Sequence, residues 1–511
     1  MQKPSKSVNS QVLELKFHLP PGSRVAVEAA PAFAGAKPRQ RHEVTRYFDT
    51  PDHLLDRIGL TLGVRRSGVI HTQTVNFRTS HHGIVTNRGE WEWRSGQDKP
   101  DLFRLANTQA LAAVAPVIKN KLEPVFETDI WRTTRLLHLE ENTIVEAAID
   151  QGSMKAGSAR ESVSELELKL KAGCIGPAYR LAANLQTLAP MWILPERNSA
   201  RGWYLRTGQT EGGQIAQMLK LRRTMEAAVA FETILSGILG HLIANIGAAL
   251  RGDTEALHQM RIAIRESRAV LQLFERHLDA GAVARFNAGL RSFGEIFGAA
   301  RDWDVFCLET LPAAMADLPT QRLEDLKLVA EVERESAHEA VAEVERGHDL
   351  TAIVLALAVW AEAGAAQPST LGDDRMGTTL GSLAPSLFDR AADRVKHRAR
   401  HVSGLSVAKR HGLRKSLRKL RFDVEFLAGL YDRNAVKIYR RHCQALEKIL
   451  GTLNDSIVAK RLALSLVTAS RPDLAKPAAA LMRWNARRDR KALQRLKPAL
   501  KDWRTSPAFW S

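Results

Sequence analysis

The chain contains few of the residues that mark several common classes of protein. Its 511 residues include only three cysteines, Cys174, Cys307 and Cys443, and no C-x-x-C pair. Neither a disulfide framework nor a zinc site is therefore indicated. Phe, Trp and Tyr together make up 6% of the chain, and no established nucleic-acid motif accompanies them. Nucleic acid is thus not expected to be the main partner.

Long apolar segments are also missing from the sequence. The longest apolar run, 352–361, is far shorter than the ~20 residues that a membrane-spanning helix needs. The first ten residues are polar and contain no apolar core of a signal peptide. We therefore expect a cytoplasmic protein without a transmembrane segment.

Acidic residues are outnumbered by basic ones. The chain has 74 Lys and Arg against 56 Asp and Glu, which gives a net charge of +18 and a pI near 10.0. A balance of this kind indicates an acidic partner, such as nucleic acid, polyphosphate or an anionic surface. Residues 1–210 hold 28 basic and 21 acidic residues, so both halves of the chain share the excess.

The hydrophobic pattern changes its period near residue 210. Apolar and polar residues alternate in segments such as 12–19 and 165–171, which predicts an antiparallel sheet or barrel with short helices. From about 215 onward the period is helical and predicts an all-α bundle of about eight to twelve helices. The fold class is therefore α+β multidomain. We predict a sheet domain at 10–206, a Gly-rich linker at 207–214 and a helical domain at 215–505.

A histidine and three arginines recur with one spacing in the helical half. Each copy reads H-x-x-R-x-x-x-R-x-x-R, and the copies lie 153 residues apart. We call them the first ladder, which is His258, Arg261, Arg265 and Arg268, and the second ladder, which is His411, Arg414, Arg418 and Arg421. At about 100° per residue, each set falls within one helical stripe roughly 80° wide.

The offset of 153 extends beyond the ladders. It also relates Gly298 to Gly451 and Asp302 to Asp455, and we expect the two aspartates to cap a helix or to orient an arginine. The repeat predicts two four-helix-like units, 215–362 and 379–505, whose ladders line one shared groove. The alternatives are a solvated basic face and histidines satisfied inside the core. We expect a further basic cluster, Lys396, His397, Arg398 and Arg400, to extend the groove.

The helical half resembles the CHAD family, the conserved histidine α-helical domain. The matching text is LHQMRIAIRESR with FGAARDWDV, and HGLRKSLRKLR with LGTLND. The resemblance implies a module that binds inorganic polyphosphate, requires no cofactor for binding and associates with polyphosphate granules.

The sheet half resembles the CYTH family of triphosphate tunnel enzymes. The matching text includes LELKF, YFDTPDHLL, GVRR, RGEWEW, ETDIWRTTR and SELELKL, and the order of the two halves resembles bacterial CYTH–CHAD proteins. The resemblance implies an eight-stranded tunnel, Mg or Mn, and inorganic triphosphatase activity. Its candidate metal ligands are Glu14, Glu165 and Glu167, and its candidate phosphate-binding residues are Lys16, Arg65, Arg78, Arg132 and Lys169.

Four positions depart from the pattern of that family. Val12, Gly63, Asn76 and Asn198 stand where the family carries charged residues, three of them cationic. The loss of three charge-assisted phosphate contacts, at about 1.5–3 kcal/mol each, predicts catalytic decay. No catalytic residue is assigned. The sequence therefore favours a polyphosphate-binding protein with a degenerate tunnel, and the alternative is an active metal-dependent inorganic triphosphatase.

Overall fold

The computed structural model describes residues 12–77, 80–82, 85–88, 90–103, 114–118, 121–210, 212–318, 323–364, 375–400 and 406–510. The chain divides into two units that are not continuous in sequence. The sheet unit comprises residues up to 214 together with 239–256 and 345–359. The helical unit comprises 215–238, 257–344 and 360–511.

The sheet unit is built on one antiparallel sheet of eleven strands. Along the chain these are β1 (Val12–His18), β2 (Arg39–Asp49), β3 (Leu60–Ser67), β4 (Ile70–Phe77), β5 (Ser80–His82), β6 (Val85–Arg88), β7 (Glu90–Ser95), β8 (Glu123–His138), β9 (Ile144–Ala156), β10 (Ala159–Ala172) and β11 (Trp192–Ile193). Their order across the sheet is β5-β6-β1-β10-β9-β8-β2-β3-β4-β7, and β11 also pairs with β1.

The antiparallel sheet is confirmed, but its strand count and its closure differ from the eight-stranded tunnel that the resemblance implied. Eight strands have six or more residues, and the three additional strands, β5, β6 and β11, have four or fewer. Among the described residues the path of the sheet is not closed. β6 pairs with residues 12–14 of β1 and β7 pairs with β4, and residue 89, which lies outside the described residues, separates β6 from β7 in the sequence.

The register of the long strands gathers charged residues on one face. Lys16 lies opposite Glu167, and Glu14 lies opposite Lys169. Asp150 of β9 lies opposite Glu165 on one side and opposite Arg132 on the other. Because alternate residues face opposite sides of a strand, Leu15, Phe17, Leu166 and Leu168 fall on the other face, where they are buried.

Short helices accompany the sheet. They are α1 (Ser23–Glu28), α2 (Leu54–Arg57), α3 (Ala115–Ile118), α4 (Gly176–Leu188) and α5 (Asn198–Thr207). Helix α5 contacts β8, β9 and β10, and Trp203 on this helix is buried together with Phe126 and Ala156. This packing brings the first turns of α5 toward the charged residues of β1 and β10.

The remaining helices are all longer than one turn. They are α6 (Ala227–Ala244), α7 (Ile246–Leu250), α8 (Thr254–Leu273), α9 (Ala280–Asp304), α10 (Leu311–Asp317), α11 (Glu324–Glu345), α12 (His348–Gly364), α13 (Leu380–Arg398), α14 (Val407–Leu427), α15 (Arg433–Ser465) and α16 (Ala475–Thr505). The ladders lie on α8 and α14.

The duplication predicted from the sequence is visible in the helix boundaries. Helices α6, α8 and α9 begin at residues 227, 254 and 280, and α13, α14 and α15 begin 153 residues later, at 380, 407 and 433. The helices α9 and α15 are capped by Asp279 and Asp432, which accept one and two hydrogen bonds, respectively, from backbone N–H groups of the first turn. The copies diverge at Val305–Thr310, a π-helical segment after α9, whereas α15 continues as one helix.

The helical unit has a core that both copies share. Trp303, Phe306 and Leu311 from the first copy pack in one cluster with Leu462 and Trp484 from the second. Among the described residues, one apolar stretch, Ala227–Leu250, is long and apolar enough to cross a membrane, and 61% of an 18-residue window within it is buried inside the protein. A buried core helix can have the same length and composition.

Candidate functional site

Both ladders contribute to one cavity in the helical unit. The cavity has a volume of about 370 Å³, and its walls come from α8, α13 and α14. The first ladder supplies Arg261, Arg265 and Arg268, and the second supplies His411, Arg414 and Arg418. The structure therefore brings six of the eight ladder residues to a single space, as the repeat predicted.

The cavity arginines are placed where positive charge is unfavourable. Burial, followed by the facing Arg418, holds the pKa of Arg265 well below its ordinary value. Burial also lowers the pKa of Arg261, and it lowers the pKa of Arg414 to about 10. Guanidinium groups keep their proton at neutral pH, so these shifts express electrostatic strain rather than loss of charge. An anion in the cavity would relieve that strain.

Acidic side chains neutralise only part of the positive charge of the cavity. Asp302 lies 3.4 Å from Nη2 of Arg261 and 3.1 Å from Nη2 of Arg461, so it orients arginines. Asp302 and Asp455 lie inside α9 and α15, which contradicts the expectation that they cap helices. Glu447 accepts a hydrogen bond of 2.8 Å from Nε of Arg418.

Two ladder residues do not line the cavity. Arg421 donates hydrogen bonds to Glu447 and Glu425, at 2.8 and 2.7 Å, and its charge is therefore compensated. His258 lies half-buried on α8 and is absent from the cavity wall. Its counterpart His411 faces the cavity, with Nδ1 3.1 Å from the amide oxygen of Asn454. Burial, followed by the nearby Lys415, lowers the pKa of His411.

Of the basic cluster at the end of α13 that the sequence analysis selected, Arg398 lines the cavity. Lys396, His397 and Arg400 are exposed and do not line the cavity. Charged lining residues that the sequence interpretation missed are Arg394, Lys415, Lys419 and Asp423. Arg394 lies four residues before Arg398 on one helical face. That spacing was the available signal for Arg394.

Arg265 is half-buried and its Nε donates a hydrogen bond of 3.0 Å to a backbone carbonyl, that of Arg261. Because a partly buried charge without an ionic partner destabilises a fold, Arg265→Met should stabilise the free protein by roughly 1 kcal/mol. Arg421→Met is the matched control and should have the opposite sign, because Glu425 and Glu447 each lose one of their cationic partners. Urea unfolding of both variants at neutral pH measures the difference. Equal destabilisation by the two substitutions would contradict this account of the cavity.

The charged face of the sheet unit consists of closely paired ions. Lys16 Nζ lies 2.7 Å from Glu165, which also contacts the guanidinium of Arg201. Arg132 donates two hydrogen bonds to Asp150, at 2.6 and 2.7 Å, and a third to Glu167 at 3.1 Å. Burial acts to raise the pKa of Glu165, but Lys16 and Arg201 outweigh it, so this pKa lies below its ordinary value.

Comparison with known families finds one match in each half of the chain. The CYTH domain family matches residues 10–176, and the CHAD domain family matches residues 233–464. The chain carries a CYTH domain followed by a CHAD domain. The ladder cavity lies within the CHAD domain, and the paired charges of β1, β8, β9 and β10 lie within the CYTH domain.

Individual relatives are distant from this chain. An inorganic triphosphatase of Haemophilus influenzae is 24% identical over 163 residues, which are 32% of this chain and 46% of that protein. The chain thus spans about half the length of this curated relative. A solved CHAD domain from the plant Ricinus communis is 24% identical, covers 57% of this chain and 97% of its own, and has a TM-score of 0.49. A candidate adenylyl cyclase from Hippeastrum, described as having a dominant triphosphatase activity, is 14% identical over 39% of this chain and 97% of its own, with a TM-score of 0.28.

The CYTH domain contains carboxylates, which are the oxygen ligands that Mg or Mn prefers. Most of these carboxylates are already engaged by cationic side chains. Glu14 is buried on the charged face. Asp150, Glu165 and Glu167 already contact cationic side chains. A divalent cation would have to displace Lys16, Arg132 or Arg201 from these carboxylates. In this arrangement the described residues do not fit a divalent cation.

The candidate phosphate-binding residues of the CYTH domain are similarly engaged. Besides Lys16 and Arg132, Arg65 lies 2.8 Å from Glu92. Lys169 is half-buried opposite Glu14, and Arg78 lies outside the described residues. Arg201, which the sequence interpretation did not select, is buried and contacts both Glu161 and Glu165.

The substituted positions have local explanations where the structure describes them. The side-chain oxygen of Asn198 accepts a hydrogen bond of 2.8 Å from Lys16. A Cβ atom at Gly63 would lie 3.1 Å from Thr74 Oγ1 and 3.3 Å from Thr45 Cγ2, so a larger residue there would crowd both neighbours. The side-chain oxygen of Asn76 is buried and has no hydrogen-bond partner among the described residues. The side chain of Val12 lies outside the described part of the chain.

Proposed function

We propose that this protein binds inorganic polyphosphate in the cavity between the two ladders, and that the CYTH domain is catalytically degenerate. The observation that carries the proposal is the joint cavity of α8, α13 and α14. Nine of its lining residues are Arg or Lys, and one, Asp423, is acidic. Binding would need no metal or cofactor, since the cations are part of the chain.

The chemistry of the cavity favours a phosphate polymer over other anions. Guanidinium groups bind phosphate oxygens in forked pairs, and a row of them suits successive charges along one chain. Among the described lining residues, Phe422 is the one Phe, Tyr or Trp, and it is buried, so beside the imidazole of His411 these residues offer no aromatic platform for stacking bases. These features support polyphosphate over nucleic acid as the main partner.

Titration of the full chain with long-chain polyphosphate at several salt concentrations tests the proposal. Counterion release predicts a steep salt dependence, with a slope of about 0.7 in log affinity per phosphate contact for a single-stranded polymer. Single-stranded RNA of matched charge should compete poorly. Equal or stronger binding of RNA would reject polyphosphate as the preferred partner.

We also propose that the protein resides in the cytoplasm, on polyphosphate granules. A fluorescently tagged chain should collect in foci in cells that accumulate polyphosphate and should be diffuse in cells that cannot synthesise it. Foci that persist without polyphosphate would exclude the polymer as the cause of the localisation.

A second candidate function is that of a metal-dependent inorganic triphosphatase. Its support is the similarity to the Haemophilus influenzae enzyme and the cluster of Asp150, Glu165 and Glu167 on one sheet face. Phosphate release from tripolyphosphate with Mg or Mn, abolished by Glu165→Gln, would establish it. We expect no turnover, because the carboxylates are already paired with cations. Lys155→Gln, an exposed change on β9, is the control for the substitution.

A further inference from the structure

Helix α16 carries a large share of the positive charge of the chain. Between Ala475 and Thr505 the sequence has ten Lys or Arg residues and two aspartates, a net charge of +8 out of +18 for the whole protein. The helix follows the segment that the CHAD family matches, which ends at residue 464. None of its residues lines the ladder cavity.

The cations of α16 form an exposed row. Five of them recur at intervals of three, four or seven residues, and at about 100° per residue they fall within a stripe roughly 80° wide. The α16 row consists of Arg483, Arg487, Arg490, Lys497 and Lys501, all of them exposed. With a rise of about 1.5 Å per residue, the row is roughly 27 Å long.

The opposite face of α16 is the one that packs. Leu481, Leu496, Leu500 and Trp503 are buried, and the helix lies against α15. The row therefore points away from the core. Among the described residues, no acidic side chain forms an ion pair with any member of the row. A row of uncompensated like charges is unfavourable without a counter-charge and becomes favourable when a polyanion lies along it.

We propose that the α16 row is a second, exterior binding surface for long-chain inorganic polyphosphate. It engages segments of the polymer that extend beyond the ladder cavity, so this inference rests on the proposed function. A linear chain of phosphates can meet charges along the full length of the row, whereas a small anion meets one or two. Tethering at two surfaces raises the effective concentration of the polymer at each of them.

The composition of the row distinguishes this partner from two others. An anionic membrane would require an apolar face beside the cations, but the large apolar residues of α16 are mostly buried in the core. Nucleic acid would favour exposed aromatic side chains for stacking, but Trp484 and Trp503 are buried. The row offers charge alone, which is what a polymer made only of phosphates requires.

The test replaces all five row residues with glutamine in the full chain. Its matched control replaces five exposed cations of the CYTH domain with glutamine, namely Lys37, Arg66, Lys121, Lys155 and Arg160. Long-chain polyphosphate is titrated into both variants and the parent across a salt series. The row variant should bind at least about tenfold more weakly at low salt and show a salt slope smaller by up to roughly 3.5, at about 0.7 per lost contact. The control should match the parent.

Variants in which the cavity residues Arg261, Arg265, Arg414 and Arg418 are changed to glutamate separate this inference from the proposed function. If cavity variants lose affinity and the row variant binds like the parent, the exterior surface is rejected and the proposed function stands. If the row variant loses affinity and cavity variants do not, the proposed function fails, and the row would be the main binding surface instead of a second one. Loss of binding to single-stranded RNA but not to polyphosphate in the row variant would overturn the choice of partner. Circular dichroism and thermal unfolding show whether each variant is folded.

Discussion

Changing Arg261, Arg265, Arg414 and Arg418 together to glutamate should weaken polyphosphate binding by at least about 10⁴-fold. Each charge-assisted contact to phosphate contributes about 1.5–3 kcal/mol, and each 1.4 kcal/mol is a factor of about ten in affinity. Four lost contacts therefore amount to about 6 kcal/mol or more, and the new carboxylates add repulsion. Isothermal titration or fluorescence anisotropy at fixed salt measures the loss.

The control for this experiment keeps the change in net charge and moves it elsewhere. Lys37, Arg66, Lys121 and Lys155 are exposed in the CYTH domain and can be changed together to glutamate. This variant should lose far less affinity, because long-range repulsion is screened by salt. If the two quadruple variants bound equally, net charge rather than the cavity would account for the binding. Retention of affinity by the ladder variant would reject the proposed function.

The contributions of the two ladders to polyphosphate binding should be coupled. Arg261 and Arg265 lie on α8, and Arg414 and Arg418 lie on α14, yet all four line one cavity. Burial and the facing Arg418 depress the pKa of Arg265, so the two helices are electrostatically coupled before any anion is present. A polymer that contacts both helices screens this repulsion.

Much of the CHAD domain could be predicted from its sequence because the repeat preserves helix positions. A fixed offset of 153 predicted the equivalence of α8 with α14, and the structure starts these helices at 254 and 407. Which ladder residues are compensated could not be predicted. Arg421 is neutralised by Glu425, four residues later on α14, and by Glu447 of α15, and the second contact depends on how α15 packs against α14.

In the CYTH domain, the alternation of polar and apolar residues predicted the charged face of the sheet, but it did not predict the ion pairs that these residues form. Period two places Glu165 and Glu167 on one side of β10, as the strand register shows. The pairing of Glu165 with Arg201 depends on how α5 packs against the sheet, and no local pattern encodes that contact. The short strand β6 was likewise not predicted, because its four residues are too few for a period to be recognised.

Asp423 is the acidic residue of the cavity, and its ionisation should control the stability of the CHAD domain. It lies on α14, is 3% exposed, and its Oδ1 has no hydrogen-bond partner among the described residues. Burial raises its pKa to about 8, although Arg394, Lys419 and Arg390 act in the opposite direction. An unfolded aspartate has a pKa of about 3.9.

The sign of the effect follows from these two pKa values. Between about pH 4 and pH 8 the folded chain holds a proton at Asp423 that the unfolded chain has released. The free energy of unfolding should therefore fall as pH rises through this window, by up to about 1.4 kcal/mol per pH unit, and should level off above pH 8. Ionisation of Asp423 also introduces a negative charge beside the phosphate polymer, so binding should weaken as pH rises through about 8.

Asp423→Asn removes the titrating group and should flatten both profiles. At pH 9 the variant should be more stable than the parent by up to several kcal/mol, and near pH 4 the difference should be small. Urea midpoints at pH 5, 7 and 9 and polyphosphate affinities between pH 6 and 9 measure the two effects. Asp393→Asn, which neutralises an exposed carboxylate on α13, should leave the profiles of the parent in place. A variant at Asp423 that keeps the pH dependence of the parent would show that the charge of the cavity is set by other groups.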